Sequence, residues 1–121
     1  MKDWGFVYKT VAFVWVKQNK NSSGIFMGAG SYTRTNAEIC LLGVSENTQA
    51  KDFVKSHSVR QIVISPLREH SRKPDEVRDR IKQLVGPDNS CIELFAREGS
   101  TGWDVWGNEV DKFTPKQKSL W

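Results

Sequence analysis

Three short stretches in the second half of the chain hold the residues best suited to chemistry. The first is Glu69-His70-Ser71-Arg72-Lys73-Pro74, which runs into a helical pattern. Proline suits the first helical position, so Pro74 in that role puts the cap on Lys73, whose side chain cannot accept from the free N–H groups. A serine or aspartate there would stabilise the helix by ~1 kcal/mol, and a lysine also meets the positive end of the helix dipole. An anion held between Lys73 and the helix N-terminus accounts for that choice; a solvated basic loop is the alternative. The second stretch, Phe95-Ala96-Arg97, ends a strand pattern. Ligands of open α/β sheets bind beyond the carboxyl ends of strands, though Arg97 could equally pair with a neighbouring carboxylate. The third is Gly102-Trp103-Asp104-Val105-Trp106-Gly107-Asn108-Glu109-Val110. Asn108 and Glu109 have the donors and acceptors to read a ribose or a base edge, or to cap a turn. Trp103 and Trp106 read as core anchors for a segment without regular structure.

The elements that would position these residues are legible in the hydrophobic pattern. Thr10 to Lys17 (Thr-Val-Ala-Phe-Val-Trp-Val-Lys) is apolar at nearly every position, as in a strand of a parallel sheet buried on both faces. Glu38–Val44 and Gln61–Ser65 are further strand candidates, divided by a polar stretch from Ser45 to Arg60, and Pro66 ends the second. From Pro74 a helix is predicted: Asp75 and Glu76 complement its dipole, Val77, Ile81, Leu84 and Val85 form one face, and Gly86 closes it. A last strand, Cys91–Ala96, follows. Strand, loop, helix and strand in this order predict an α/β fold with a largely parallel sheet. The loop Gln18–Ser31 carries Ile25-Phe26-Met27 between glycines, either a tip tucked onto the body or a lid over substrate.

The 121 residues suit one domain, read as 1–110 with a polar tail at 111–121. A formal charge of +4 permits a polyanionic partner without requiring one. Cys40 and Cys91 sit in apolar runs, predicting buried strand thiols, and with only His57 and His70 beside them there is no zinc spacing. Free thiols fit a reducing cytoplasm. No apolar run reaches the ~18 residues of a membrane span, so no membrane partner is expected.

Taken together, Arg-Glu-His-Ser-Arg-Lys-Pro-Asp-Glu (68–76), Ile-Glu-Leu-Phe-Ala-Arg (92–97) and Gly-Trp-Asp-Val-Trp-Gly-Asn-Glu-Val (102–110) resemble the adenine-N6 methyltransferase family of eukaryotic mRNA writers and phage DNA adenine methylases. Thr10 to Lys17 and Tyr32 to Gly43 match it too, closest to the phage members, so the resemblance runs from residue 4 to 110. It implies a Rossmann-like sheet, S-adenosylmethionine as cofactor, and adenine in DNA or RNA as acceptor. By the resemblance, Lys73 helps bind the methionine end, and Arg97, Asn108 and Glu109 contact ribose and adenine. Where some eukaryotic members place a histidine and an asparagine after the arginine, this chain has Glu98 to Thr101.

The family's Asp-Pro-Pro-Trp signature is not in this sequence: Pro66, Pro74, Pro87 and Pro115 are all isolated. The resemblance thus implies a partial Rossmann-like domain whose catalytic N-terminal half is absent, with Met1 near the midpoint of a full-length member. Three roles compete: a methyltransferase fragment active only with its missing half, a dead derivative that binds nucleic acid, or a dimerisation partner of an intact enzyme. Arg68, His70 and Arg72 are the leading nucleic-acid contacts, with Lys73, Arg78, Arg80 and Lys82 beside them. Lacking a preceding strand, Thr10–Lys17 should present one edge and part of one face to water, favouring a homo-oligomer or a partner that supplies the missing half.

Overall fold

In a computed structural model, residues 1–69, 72–96, 99 and 102–107 are described. A 3-10 turn (Lys2–Trp4) leads into β1 (Phe6–Gln18), β2 (Ala37–Ser45), a short helix α1 (Ala50–Phe53), β3 (Ile62–Pro66), α2 (Asp75–Val85), β4 (Ile92–Leu94) and β5 (Asp104–Trp106). The chain divides into two compact units, Met1–Gly86 and Pro87–Trp121. The segment 111–121 lies outside the described residues.

The first unit is built on a three-stranded sheet in the order β2-β1-β3. β1 runs antiparallel to β2 and parallel to β3. The α/β class stands, but the expected single, largely parallel sheet does not: this sheet is mixed, and β4 pairs with β5 in a separate two-stranded sheet. The expected open edge of β1 is corrected in part. β2 takes one edge from Phe6 to Val16, whereas β3 takes the other only from Val14 to Gln18, so among the described residues Phe6–Phe13 has no strand partner on that side.

β2 pairs without interruption, whereas the register of β1 shifts between Tyr8 and Thr10 and again between Val11 and Phe13. Lys9 and Ala12 are therefore the extra residues of two β-bulges. Because directly paired residues share a face, the register sorts the apolar run into two sets. Phe13 and Trp15, with Val63 beside Trp15, face one way and are buried. Val11, Val14 and Val16, paired with Leu41, Ile39 and Ala37, face the other way. α2 covers the first set: Val77 and Ile81 pack on the Phe13–Trp15–Val63 cluster. The Trp15 Nε1–H donates to the Ser65 carbonyl at 2.8 Å, so the indole is buried without an orphaned donor.

α2 starts one residue later than the sequence predicts. Pro74 is its cap, in an extended conformation and without a side-chain acceptor, and Gly86 ends it at φ 85°. The residue before a proline is pushed towards extended backbone, which keeps Lys73 outside the helix. Its cation is not the cap. α1 falls inside the stretch read as merely polar. Its start is secured by Asp52, whose carboxylate accepts from the Gln49 N–H at 2.8 Å, and Lys55 N–H reaches the Leu84 carbonyl at the end of α2.

Cysteine burial also differs from expectation: Cys40 is exposed and Cys91 half-buried. Cys40 lies opposite Phe13 but beyond the reach of α2, at an apolar cleft of ≈ 390 Å³ between β2 and α2 that Phe53, Ile81 and Leu84 also line. That partial burial pushes its thiol up. In the loop after β1, the Phe26 N–H bonds the Lys17 carbonyl and its side chain is half-buried, while Ile25 and Met27 stay exposed.

In the second unit, β4 is shorter than the predicted Cys91–Ala96, because Phe95 turns to a left-handed φ of 58°. β5 takes the place of the irregular segment expected around Trp103 and Trp106. It is held by parallel pairing, Ile92 to Asp104 and Leu94 to Trp106, and by an edge-to-face contact of Phe95 with Trp106 at 5.2 Å. Gly107 follows where the backbones touch: a Cβ there would lie 2.2 Å from the Ala96 carbonyl oxygen, so only glycine fits.

Candidate functional site

β1 and β3 run parallel, so their carboxyl ends, at Gln18 and Pro66, lie on one side of the sheet. Leu67 is tied back there by its N–H to the Gln18 carbonyl, and Lys73 stands just before Pro74, the cap of α2. This is where an open α/β sheet offers a ligand site.

At this edge the register places Glu38, near the start of β2, directly opposite Trp15. Glu38 bridges two lysines, with Lys17 at 3.0 Å and Lys73 on its other oxygen. Both ammonium groups lie over the Trp15 ring, 5.4 Å (Lys17) and 5.9 Å (Lys73) from its centroid. The indole's negative face and the carboxylate thus hold two like charges close together. Burial pushes the Glu38 carboxyl up, but hydrogen bonds from Lys73 and Lys17, and then their charges, outweigh it and hold the group below the usual carboxylate range. Lys17 is largely covered, at 14% side-chain exposure, whereas Lys73 is 58% exposed. Lys73 is therefore the cation that an anion from solution can reach, in competition with Glu38.

The same loop is braced from its other side. Arg68 pairs with Asp75 at 2.9 Å and its guanidinium also donates to the Lys73 carbonyl. Arg78 shares Asp75 at 3.0 Å. Arg80 donates to the carbonyls of Arg60 and Ile62, and pairs with Glu76. Arg72 is half-buried, and burial followed by the charge of Arg68 pushes its guanidinium down. Arg68, Arg78 and Arg80 thus brace the first turns of α2 and the backbone of Arg60, Ile62 and Lys73.

Of the sequence-predicted site residues, Lys73, Arg68 and Arg72 are on this loop. His70, Arg97, Asn108 and Glu109 lie outside the described residues. Sequence reasoning missed Glu38, Lys17 and Trp15. The signal was present, since Glu38 is the one acid in the apolar β2 run and Lys17 the one cation closing that of β1. Their meeting depends on a strand register that composition does not reveal. The apolar cleft beside Cys40 has no charged side chain in its lining, so it does not suit an ionic cofactor.

The chain is 38% identical over 109 residues to the type II methyltransferase M.MunI of a Mycoplasma species, covering 90% of this chain and 42% of that protein. It is 31% identical over 112 residues to the N(6)-adenosine-methyltransferase MT-A70-like protein of Arabidopsis thaliana, covering 89% of this chain and 15% of the relative. Over a shorter stretch of 52 residues, 43% of this chain and 11% of the relative, it is 46% identical to human N(6)-adenine-specific methyltransferase METTL4. The chain thus spans less than half the length of each of these relatives. The MT-A70 family model matches residues 1–109, which takes in β1 to β5 and the Lys73 loop, and the chain belongs to the MT-A70 family.

Proposed function

We propose that this chain is the cofactor-binding part of an S-adenosylmethionine-dependent methyltransferase acting on N6 of adenine in DNA or RNA. The observation that carries the reading is the accessible Lys73 ammonium at the carboxyl ends of β1 and β3, in a chain matched by the MT-A70 model over residues 1–109. In this reading the chain forms part of a Rossmann-like sheet. S-adenosylmethionine, when bound, supplies the methyl group as an electrophile. Lys73 takes the carboxylate of its methionine end in exchange for Glu38, with Lys17 and Trp15 keeping the site cationic. Arg97, Asn108 and Glu109 contact the ribose and adenine.

Methyl transfer to an exocyclic amine also needs an acceptor for the amino protons and a surface on which the target base stacks. The reading assigns both to an Asp-Pro-Pro-Trp segment on polypeptide outside this sequence, in which all four prolines are isolated. The working enzyme then joins the two parts in a bacterial or phage-infected cytoplasm.

Calorimetry with S-adenosylmethionine tests this. Weak binding is expected, and Lys73→Ala should weaken it ~10- to 100-fold, the worth of one charge-assisted hydrogen bond. Unchanged affinity would remove Lys73 from its role. The chain alone should incorporate no labelled methyl into adenine-containing DNA or RNA; incorporation would show that the acceptor machinery is already present.

A further inference from the structure

Glu38 meets a different lysine at each of its carboxylate oxygens. Oε1 faces the Lys17 ammonium at 3.0 Å, and Oε2 takes the Lys73 ammonium. The two lysines are held differently. Lys17 is largely covered and lies over the Trp15 ring, whose Nε1–H is fixed on the Ser65 carbonyl. Lys73 is more than half exposed, and Arg68 holds its carbonyl while its ammonium reaches across to Glu38, 35 residues away in sequence. One lysine therefore anchors the carboxylate, and the other is placed to swing from it with its main chain fixed.

Exchange at Lys73 has a consequence for Glu38. A ligand that brings only a negative group replaces one carboxylate by another on Lys73 and strips Oε2 of its cation, so most of the gain is cancelled. A ligand that carries an ammonium beside its carboxylate leaves neither partner bare. Its carboxylate goes to Lys73 and its ammonium to Oε2, and both new contacts are charge-assisted like the one they replace. Lys17 serves this exchange by keeping a cation on Oε1, so that Glu38 stays turned to the site after Lys73 has left.

We infer that Glu38 is the specificity residue of this site: with Lys73 it forms a receptor for an α-amino acid end, taking the ammonium while Lys73 takes the carboxylate. This rests on the reading of Lys73 as the carboxylate ligand, and adds what selects the molecule that Lys73 accepts. Specificity is a difference of affinities. Glu38 acts on both sides of that difference, by attracting the ammonium and by competing with any anion that lacks one.

Calorimetry on the full chain with two probes tests this. S-adenosylhomocysteine has a neutral sulfur, so its only cation is the α-ammonium; its deaminated analogue keeps the carboxylate and the rest of the molecule. The wild-type chain should prefer the first by ~10-fold or more, the worth of a hydrogen bond between charged groups. Glu38→Gln keeps the shape and removes the charge, and should cut that preference to under ~3-fold, weakening the amine-bearing probe and tightening the deaminated one. A packing role for Glu38 would move both affinities together and leave their ratio unchanged, which would overturn the inference. Should Glu38→Gln not fold, the wild-type ratio decides, and equal affinity for the two probes overturns it. Lys73→Ala separates this inference from the reading beneath it. A wild-type chain that binds neither probe, or a Lys73→Ala chain that binds both as before, removes the cofactor reading and the inference with it. If Lys73→Ala weakens both probes while Glu38→Gln keeps the wild-type ratio, the cofactor reading stands and the role of Glu38 alone falls.

Discussion

The two faces of the β2-β1-β3 sheet are built from the same kinds of residue and end in different environments. On one, Phe13, Trp15 and Val63 are buried beneath Val77 and Ile81 of α2, and the polar cluster of Lys17, Glu38 and Lys73 closes its far end. On the other, Val14, Ile39 and Ile62 form an equally apolar row in which Ile39 and Ile62 are 62% and 55% exposed. The sequence of β1 does not distinguish them, since both sets come from one unbroken apolar run. What separates them, among the described residues, is that Val77 and Ile81 of α2 pack on one side. The lesson is that an apolar strand states how much cover it needs, and not where the cover comes from.

Truncations on the two faces should therefore differ sharply. Phe13→Ala removes a ring that is 3% exposed and should destabilise the first unit by ~3–5 kcal/mol, a large share of the ~5–15 kcal/mol available to a small domain. Urea unfolding followed by tryptophan fluorescence would measure it, and a loss below ~1 kcal/mol would mean that the core can collapse around the gap. Ile39→Ala, at 62% exposure, should cost under ~1 kcal/mol in dilute solution, because most of that side chain gains nothing from the folded monomer. Equal losses at Phe13 and Ile39 would break the contrast between the faces.

The elements on either side of this division were legible in the sequence, though the division itself was not. The β-branched and aromatic run of β1, the shorter runs of β2 and β3, and the 3.6-residue stripe of α2 are local signals that tertiary packing here reinforces. What was not legible depends on register. The bulges at Lys9 and Ala12 decide which residues of β1 share a face, and nothing in the local sequence marks them. β1 extends back to Phe6 because Phe6–Tyr8 pair with Gly43–Ser45, a contact made across the intervening loop. β5 owes its conformation to β4 and to the close approach at Gly107, so its tryptophans read as irregular anchors from the sequence alone. In the candidate site, the Lys-Pro junction was visible as a motif. The Glu38 bridge was not, because Lys73 and Glu38 are 35 residues apart.

The smallest expected effect belongs to that bridge, and it sharpens the contrast, because the covered face alone should titrate in this way. Burial pushes the Glu38 carboxyl up, while hydrogen bonds and charge from Lys73 and Lys17 bring it below its ordinary value on balance. A carboxyl whose folded pKa is depressed binds its proton more tightly in the unfolded chain. Its contribution is then fully present above the unfolded value of ~4.3 and is lost as pH falls through the lower folded value. The carboxylate is about one-third exposed, so solvent screening limits the pair to roughly 0–1 kcal/mol. Glu38→Gln should lower stability by up to that amount at neutral pH and by nothing once the pH is well below the carboxylate range. Urea midpoints of the two chains should therefore converge on acidification below pH ~4.3. They should also approach one another at 1 M salt, where the Debye length is ~3 Å. A gap that persists unchanged at low pH would mean that Glu38 acts by packing against Trp15, with its charge on the two lysines contributing nothing measurable. The other face has no carboxylate among its paired residues, so Ile39→Ala should show no such convergence.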